Sequence, residues 1–301
     1  MKYKLFNYLF LVVICAFTGL TYSQVPGNEP VMQTKVYKTI GLTKVKMYIY
    51  QASDRDDLKQ RPAIVFFGGG GLSERHIGQF MPQCKYLAKL GMVAMVADYR
   101  IIRRPGVTPF DCITDAKSAI RWVRAHAGEL GVDENRIAAG GGSAGGYLAA
   151  CTGFIKDFDE KKEDLKISSI PNALILFNPL VDMPEQITIA SKKVVRTVKD
   201  RATEISPINH VNEGAPPTII FQGTADKSVN FHQSTRFCEE MKKYGNDCEV
   251  VLYEGRDHGF FHYFLYPEKE NPDFISTMEY TVKFLTSLGY INGETTIENK
   301  D

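Results

Sequence analysis

The sequence lacks an excess of charge of either sign. Its 301 residues carry 36 Lys and Arg against 35 Asp and Glu, which leaves a formal net charge of +1. Phosphate backbones are bound by clustered cations, so this balance argues against a nucleic-acid-binding protein. With 44% hydrophobic and 24% charged residues, the composition is that of a globular protein and excludes a disordered or fibrous chain.

Metal-binding and redox motifs are also missing. No two of the six cysteines have the C-x-x-C spacing of a zinc or redox site, and no H-E-x-x-H occurs. The chain has no internal repeat and no linker rich in Pro, Gly or Ser. We therefore expect no metal, no cofactor and no thiol chemistry, and one catalytic domain over residues 24–291 followed by a polar tail over 292–301.

Beyond the N-terminus, no segment is apolar enough to cross a membrane. Lys2 and Lys4 precede a mostly apolar run that ends at Leu20, and small residues lie just before Gln24. This pattern is typical of a secretory signal peptide over residues 1–23. An uncleaved anchor is the alternative, disfavoured because the run is interrupted and short for a bilayer span of about 20 residues. We expect a secreted or periplasmic protein without stable membrane association after cleavage.

Export would place the cysteines in an oxidising compartment, where disulfides persist. Signal cleavage removes one of the six, so at least one thiol stays free. Cys238 and Cys248 flank a predicted turn between a helix and a strand, where the chain can bring their Cα atoms within the roughly 4.4–6.8 Å of a disulfide. We predict this bridge, and as a second candidate a Cys84–Cys112 pair that would leave Cys151 free.

Apolar runs of strand length alternate with helical segments along most of the chain. The strand-like runs cover 35–40, 45–50, 63–67, 92–97, 136–140, 173–177, 218–222 and 249–253. Helical spacing covers 79–89, 112–126, 231–244 and 273–288. Several runs are apolar at consecutive residues, as in a sheet covered on both faces.

This alternation predicts an α/β fold with a mostly parallel sheet of about eight strands and helices on both faces. The stretch 182–207 has no clear strand and is the predicted insertion or lid.

A glycine-rich segment between a strand and a helix surrounds one serine. It fits a dinucleotide fingerprint through Gly140, Gly142 and Gly145, and a nucleophile elbow through Gly141, Ser143 and Gly145. A dinucleotide site usually follows the first strand of its domain and needs an acidic residue at the end of the next strand. Here at least four strand-like runs precede the motif, which favours the elbow. A turn without function is the third possibility.

An elbow serine needs a base and an orienting acid, expected after later strands. Asp226 follows one strand-like run and His258 follows the next, which gives the order Ser, Asp, His. His262 is the alternative base and Asp182 the alternative acid. The remaining histidines are expected on the surface or at caps: His76, His126, His210 and His232.

The oxyanion of acyl transfer must be met by donors already in place, and backbone amides serve this purpose. Four glycines, Gly68 to Gly71, follow the strand before the first helix, the position of one such donor. We assign Gly69 and Gly70 to the oxyanion hole, with the Ala144 amide as the donor after the nucleophile. A phosphate-binding loop is disfavoured because no Lys-Ser or Lys-Thr follows the glycines.

Six spaced motifs together resemble the alpha/beta-hydrolase esterases of the hormone-sensitive-lipase and acetyl-esterase group. They are Gly68 to Leu72, Asp98-Tyr99-Arg100, Asp115 to Trp122, Gly141 to Gly146, Gly223 to Asp226 and Asp257 to Phe260. The resemblance covers nearly all of the chain after the signal. It implies ester hydrolysis through an acyl-enzyme, with Ser143 as nucleophile, His258 as base and Asp226 as orienter, and structural roles for Asp98, Arg100, Asp115 and Trp122.

The chain departs from this group at two places. Where the group has H-G-G-G, this chain has Gly68 in place of the histidine. Gly142 stands before the serine, where an acidic residue is common in the group. The missing histidine should change how the oxyanion loop is supported but leave its amides in place.

An open site would favour an ester with a short acyl group as the substrate. Only about a dozen residues separate the signal from the first strand, too few for the helical cap of related lipases, and 182–207 is too charged for an apolar tunnel. We expect a small-molecule or oligosaccharide ester, with acetylated xylan-type carbohydrate as the hypothesis. A lipase for longer acyl groups, a prolyl-oligopeptidase-like peptidase and a non-catalytic binding protein are the alternatives.

Overall fold

The structure, a computed structural model, describes residues 29–52, 60–187, 194, 197–265 and 271–292. The predicted signal peptide, most of the polar tail and part of the 182–207 stretch lie outside the described residues. In the described part of the chain, no helix is long and apolar enough to cross a membrane.

Eight strands form one sheet in the order β1-β2-β4-β3-β5-β6-β7-β8. They are β1 (Val31–Ile40), β2 (Thr43–Gln51), β3 (Arg61–Phe67), β4 (Val93–Ala97), β5 (Val132–Gly142), β6 (Ala173–Phe177), β7 (Thr218–Gly223) and β8 (Cys248–Tyr253). β2 pairs antiparallel with β1 and with β4, and every other neighbouring pair is parallel. The predicted mostly parallel sheet of about eight strands is confirmed.

Helices connect the strands and pack on both faces of the sheet. They are α1 (Met81–Lys89), α2 (Pro109–Ala125), α3 (Ala127–Leu130), α4 (Ala144–Phe154), α5 (Met183–Ile187), α6 (His232–Lys243) and α7 (Pro272–Ser287). Short 3₁₀ helices cover Ile77–Phe80, Lys199–Ile205, Pro207–His210 and Tyr263–Leu265.

Each face of the sheet has its own apolar core. Ile64 and Phe66 of β3 belong to the core that contains α1 and α7 residues. Val65 and Phe67 belong to the core that contains residues of α2, α4 and α6. Because successive strand residues point to opposite faces, a strand covered on both sides must be apolar at consecutive positions. This explains the unbroken apolar runs of the central strands.

The start of α2 differs from the sequence-based boundary by one turn. The helix begins at Pro109, because Thr108 and Asp111 form a capping box in which each side chain bonds the backbone N–H of the other residue. The added residues are Pro109, Phe110 and Asp111, and the helical apolar spacing read from the sequence begins only at Cys112.

The cysteine pairs predicted from the sequence are not formed. All five described cysteines are buried free thiols. Cys84 lies in the core on the α1 face and Cys112 in the core on the α2 face, so the sheet separates them. Cys238 and Cys248 are both free, and the neighbouring Cys238 thiol together with burial raises the pKa of the Cys248 thiol.

A buried carboxylate of α2 pairs with a lysine of β1. Asp115 is fully buried and pairs with Arg100 Nε at 2.8 Å and with Lys38 Nζ at 2.9 Å. Nearby, Asp98 accepts a hydrogen bond from Arg75 Nη1 at 2.8 Å. These partners compensate the cost of burying carboxylates and agree with the structural roles that the resemblance implies. The Arg75 contact also fixes the segment that runs beside the glycine loop.

Candidate active site

Ser143 lies on a strained turn between β5 and α4. Its backbone has φ 55° and ψ −122°, a conformation that is costly for a residue with a Cβ. The turn is held on both sides, because the Ser143 N–H donates to the Phe177 carbonyl at 2.9 Å and the Tyr147 N–H donates to the Ser143 carbonyl at 2.9 Å. This is the conformation that a nucleophile elbow requires.

The glycines around Ser143 allow the backbone of α4 to approach the sheet. A Cβ on Gly145 would lie 2.0 Å from the Phe67 carbonyl oxygen, and one on Gly141 would lie 2.5 Å from the backbone of Gly145. Non-bonded atoms do not approach this closely, so no larger residue fits at either position without moving β3, β5 or α4. The glycine pattern is therefore explained by close packing of the elbow.

Asp226 and His258 meet although 32 residues separate them in the sequence. His258 Nδ1 lies 2.7 Å from Asp226 Oδ2, and the carboxylate of Asp226 is fully buried. The same carboxylate accepts hydrogen bonds from the backbone N–H groups of Ser228 at 2.8 Å and Val229 at 2.9 Å. The bond fixes the imidazole orientation and leaves Nε2 for other partners.

The two alternatives to this pair have other contacts. His262 Nε2 lies 2.7 Å from Gln79 Nε2. Asp182 accepts from Arg236 Nη2 at 3.3 Å and from the Glu185 N–H at 3.3 Å. The geometry therefore joins the carboxylate of Asp226, not that of Asp182, to the candidate base.

A cavity of about 1130 Å³ opens over the carboxyl ends of the central strands. Ser143, Ala144 and His258 line it together with Gly69 and Gly70, which brings five of the six predicted site residues to one surface. Much of the wall is apolar: Leu72, Ile77, Tyr147, Leu180, Met183, Val194, Val229 and Phe261. Exposed polar residues on the same surface are Arg75, His76 and Ser228.

The 182–207 stretch contributes to this wall with residues that sequence reasoning did not select. Met183 and Val194 are buried apolar side chains facing the cavity. The charge of the stretch had suggested a solvated surface. Met183 and Val194 instead line the site.

The glycine loop beside Ser143 is held by side chains from outside it. Tyr99 Oη donates to the Gly68 carbonyl at 2.7 Å, and the Gly69 N–H donates to Gln79 Oε1 at 2.6 Å. The Gly69 amide therefore faces Gln79 in this structure. Ala144 is the first residue of α4, so its amide has no acceptor within the helix.

Sequence reasoning did not select Gln79. A glutamine at the start of a helical segment belongs to no motif, and the only signal was indirect, the glycine at position 68 where related esterases have a histidine. In the described residues, no group of three His, Cys, Asp or Glu side chains is arranged to hold a metal ion.

Comparison with known families gives one match to a family model. The BD-FAE model matches residues 47–241, a range that includes the Ser143 turn and Asp226 and ends before His258.

Curated relatives are ester hydrolases of greater length. Esterase LipC from Mycobacterium tuberculosis is 29% identical over 225 residues, which cover 68% of this chain and 55% of LipC. An acetylxylan esterase from Xylanibacter ruminicola is 26% identical over 212 residues, which cover 66% of this chain and 41% of that enzyme. The chain thus spans about half the length of the curated relatives it matches.

Among solved structures, esterase 2 from Thermogutta terrifontis matches along its whole length. The apo form has a TM-score of 0.81 and 44% sequence identity, and the alignment covers 91% of this chain and 100% of that one. The same esterase has been solved phosphorylated by paraoxon and with propionate or butyrate bound. The chain therefore has the alpha/beta-hydrolase fold of carboxylic ester hydrolases.

Proposed function

The chain belongs to the BD-FAE family, and from this we propose that it is a serine carboxylic-ester hydrolase that removes short acyl groups, acetyl above all, from carbohydrate esters. The observation that carries the proposal is the placement of a strained serine, Ser143, in one cavity with His258, whose ring is bonded to the buried Asp226. We also propose that the protein acts after export, as its N-terminal sequence suggests.

The proposed reaction proceeds through an acyl-enzyme. Ser143 Oγ attacks the carbonyl carbon of the ester while its proton moves to His258 Nε2. Asp226 holds the ring by Nδ1 and stabilises the imidazolium. His258 then gives the proton to the departing alcohol, and a water molecule, deprotonated by His258, releases the acid from Ser143.

The tetrahedral oxyanion of both steps needs preorganised N–H donors. The amides of Ala144 and Gly70 are the donors we assign, since the Gly69 amide is bonded to Gln79. The helix that begins at Ala144 adds the positive end of its dipole at the same place.

The proposal of a short acyl group is supported by the aromatic ring that packs beside the serine. The Phe261 ring would lie 2.7 Å from a Cβ placed on Gly142, so it packs directly on the residue before Ser143. Structures of the related esterase 2 hold propionate or butyrate. A carbohydrate alcohol is supported by the exposed polar residues around the cavity and by the similarity to an acetylxylan esterase.

A series of p-nitrophenyl esters tests this specificity. We expect kcat/KM to be highest for acetyl or propionyl esters and to fall at least about tenfold by octanoyl, which corresponds to roughly 1.4 kcal/mol of lost transition-state binding. Acetate should also be released from acetylated xylo-oligosaccharides. Faster hydrolysis of the octanoyl ester without acetate release from acetylated sugars would contradict the proposal and favour a lipase.

Asp226→Asn tests the identity of the acid. The amide still fills the site but cannot stabilise the imidazolium, and the corresponding change in a serine protease triad lowers kcat about 10⁴-fold. We expect a loss of about 10² to 10⁴-fold in kcat for short-chain esters. Asp182→Asn is the matched control, because Asp182 pairs with Arg236 instead. A larger loss for Asp182→Asn than for Asp226→Asn would show that the acid is misassigned.

A further inference from the structure

Position 68, where the resembling esterases have a histidine, faces the backbone of His76 in this structure. A Cβ on Gly68 would lie 2.6 Å from the His76 carbonyl oxygen, so position 68 cannot carry any side chain here. The glycine loop must therefore be supported from outside. Tyr99 Oη provides one contact, to the Gly68 carbonyl at 2.7 Å.

Gln79 provides the next contact, and its amide has only one orientation that satisfies both of its neighbours. The Gly69 N–H can only donate, so the atom 2.6 Å from it is Oε1. The NH₂ group then faces His262 Nε2 at 2.7 Å, and that nitrogen has to accept. His262 is consequently neutral, with its proton on Nδ1. Burial, together with nearby His258 and His76, lowers the pKa of His262, which favours this neutral form.

The bonded peptide group lies next to the nucleophile. A Cβ on Gly69 would be 3.4 Å from the Cβ of Ser143 and 3.0 Å from the Gly142 carbonyl oxygen. The following carbonyl, that of Gly70, accepts from the N–H groups of Ser73 and Glu74, both at 3.0 Å. The peptide planes on both sides of the Gly70 amide are thus fixed, one by the side chains of Tyr99 and Gln79 and the other by a turn.

We propose that Gln79 and His262 are positioning residues that hold the Gly69–Gly70 loop so that the Gly70 amide points at the oxyanion. Neither residue touches the reacting atoms. The Gly69 amide serves as the anchor of the loop rather than as an oxyanion donor. This inference rests on the proposed ester hydrolysis, and it assigns to Gln79 and His262 the support that a histidine gives in related enzymes.

Gln79→Leu tests the inference because leucine has a similar size and no acceptor. Removal of one oxyanion donor costs about 10² to 10³-fold in kcat, and a donor that is only misdirected should cost less. We expect kcat for a short-chain p-nitrophenyl ester to fall about 10- to 100-fold with KM changed less than about threefold, since the oxyanion exists only in the transition state. The rate of phosphorylation of Ser143 by paraoxon should fall in parallel, because its phosphoryl oxygen occupies the same hole.

Three further variants separate positioning from folding. Gln79→Glu keeps an acceptor for the Gly69 amide, but its negative charge opposes the oxyanion and it has no NH₂ group to donate to His262, so kcat should fall less than in Gln79→Leu without returning to the wild-type value. His262→Phe keeps a ring but loses the acceptor for Gln79, and should lower kcat about 3- to 10-fold because Gln79 still bonds Gly69. Gln83→Leu removes a buried glutamine that lies outside the cavity and has no hydrogen-bond partner among the described residues, so kcat and the paraoxon rate should stay at wild-type values.

Wild-type kcat in Gln79→Leu would overturn the inference, as would an equal loss in Gln83→Leu or a loss in Gln79→Glu as large as that in Gln79→Leu. Wild-type kcat in His262→Phe would show that His262 is not a positioning residue. If the wild-type protein neither hydrolyses esters nor releases one equivalent of p-nitrophenol from paraoxon, the proposed function fails instead.

Discussion

Ser143→Ala and His258→Ala are each expected to lower ester hydrolysis by about 10³-fold or more. Alanine at position 143 removes the only atom to which the acyl group is transferred, and alanine at position 258 removes the group that takes and returns the proton. Because the two side chains act as one unit, the double variant should be little worse than either single one. The measurement is the initial rate with p-nitrophenyl acetate, at enzyme concentrations high enough to detect residual activity.

Two controls separate lost chemistry from lost structure. Ser143 holds a strained backbone whose contacts are backbone hydrogen bonds, so alanine should leave the melting temperature nearly unchanged. Paraoxon should release no p-nitrophenol from Ser143→Ala, since no nucleophile remains at that position. If Ser143→Ala kept more than about a tenth of the wild-type rate, the acyl-enzyme mechanism would be wrong, because such a loss is far smaller than the effect of removing a nucleophile.

The sequence predicted the parts of this molecule that follow from local pattern. Central strands covered on both faces require consecutive apolar residues, so β3 and β6 could be recognised without any structure. Asp226 and His258 follow neighbouring parallel strands, and the carboxyl ends of such strands meet at one edge of the sheet. Their proximity was therefore predictable from order alone; the structure adds the contact at 2.7 Å, while their catalytic roles stay predictions.

What could not be predicted depends on which face of the sheet an element covers and how loops approach one another. Cys84 and Cys112 each lie in a helix, and spacing gives no sign that the two helices pack on opposite faces. The contact of Gln79 with His262 joins residues 183 positions apart, one in a 3₁₀ helix and one in a loop, and neither residue belongs to a motif. The sequence also could not reveal the partner of the Gly69 amide. We assigned that amide to the oxyanion hole because only the fold shows that Gln79 Oε1 lies 2.6 Å from it.

The glycine pattern of the elbow had two motif explanations, and the structure adds a packing cause that a mutation can test. A Cβ on Gly145 would lie 2.0 Å from the Phe67 carbonyl oxygen and 2.8 Å from the Gly68 backbone, which are rigid groups. Gly145→Ala therefore has to push α4 away from β3 and the glycine loop. We expect a loss of at least about 3 kcal/mol in the free energy of unfolding, because overpacking against backbone cannot be relieved by a rotamer change.

For a protein of this size such a loss corresponds to a fall of about 6 to 12 °C in the melting temperature, measured by thermal denaturation. Ester hydrolysis should fall with it even at temperatures where the variant is folded, because moving α4 shifts both Ser143 and the Ala144 amide from the ester carbonyl. Gly128→Ala is the matched control: Gly128 lies in α3 with no atom within 4 Å of a new Cβ, so the change should lie within about 1 kcal/mol of zero. Equal stability of Gly145→Ala and Gly128→Ala would mean that α4 is free to move from β3, and that the position of Ser143 is set by its own turn instead of by the packing of the helix behind it.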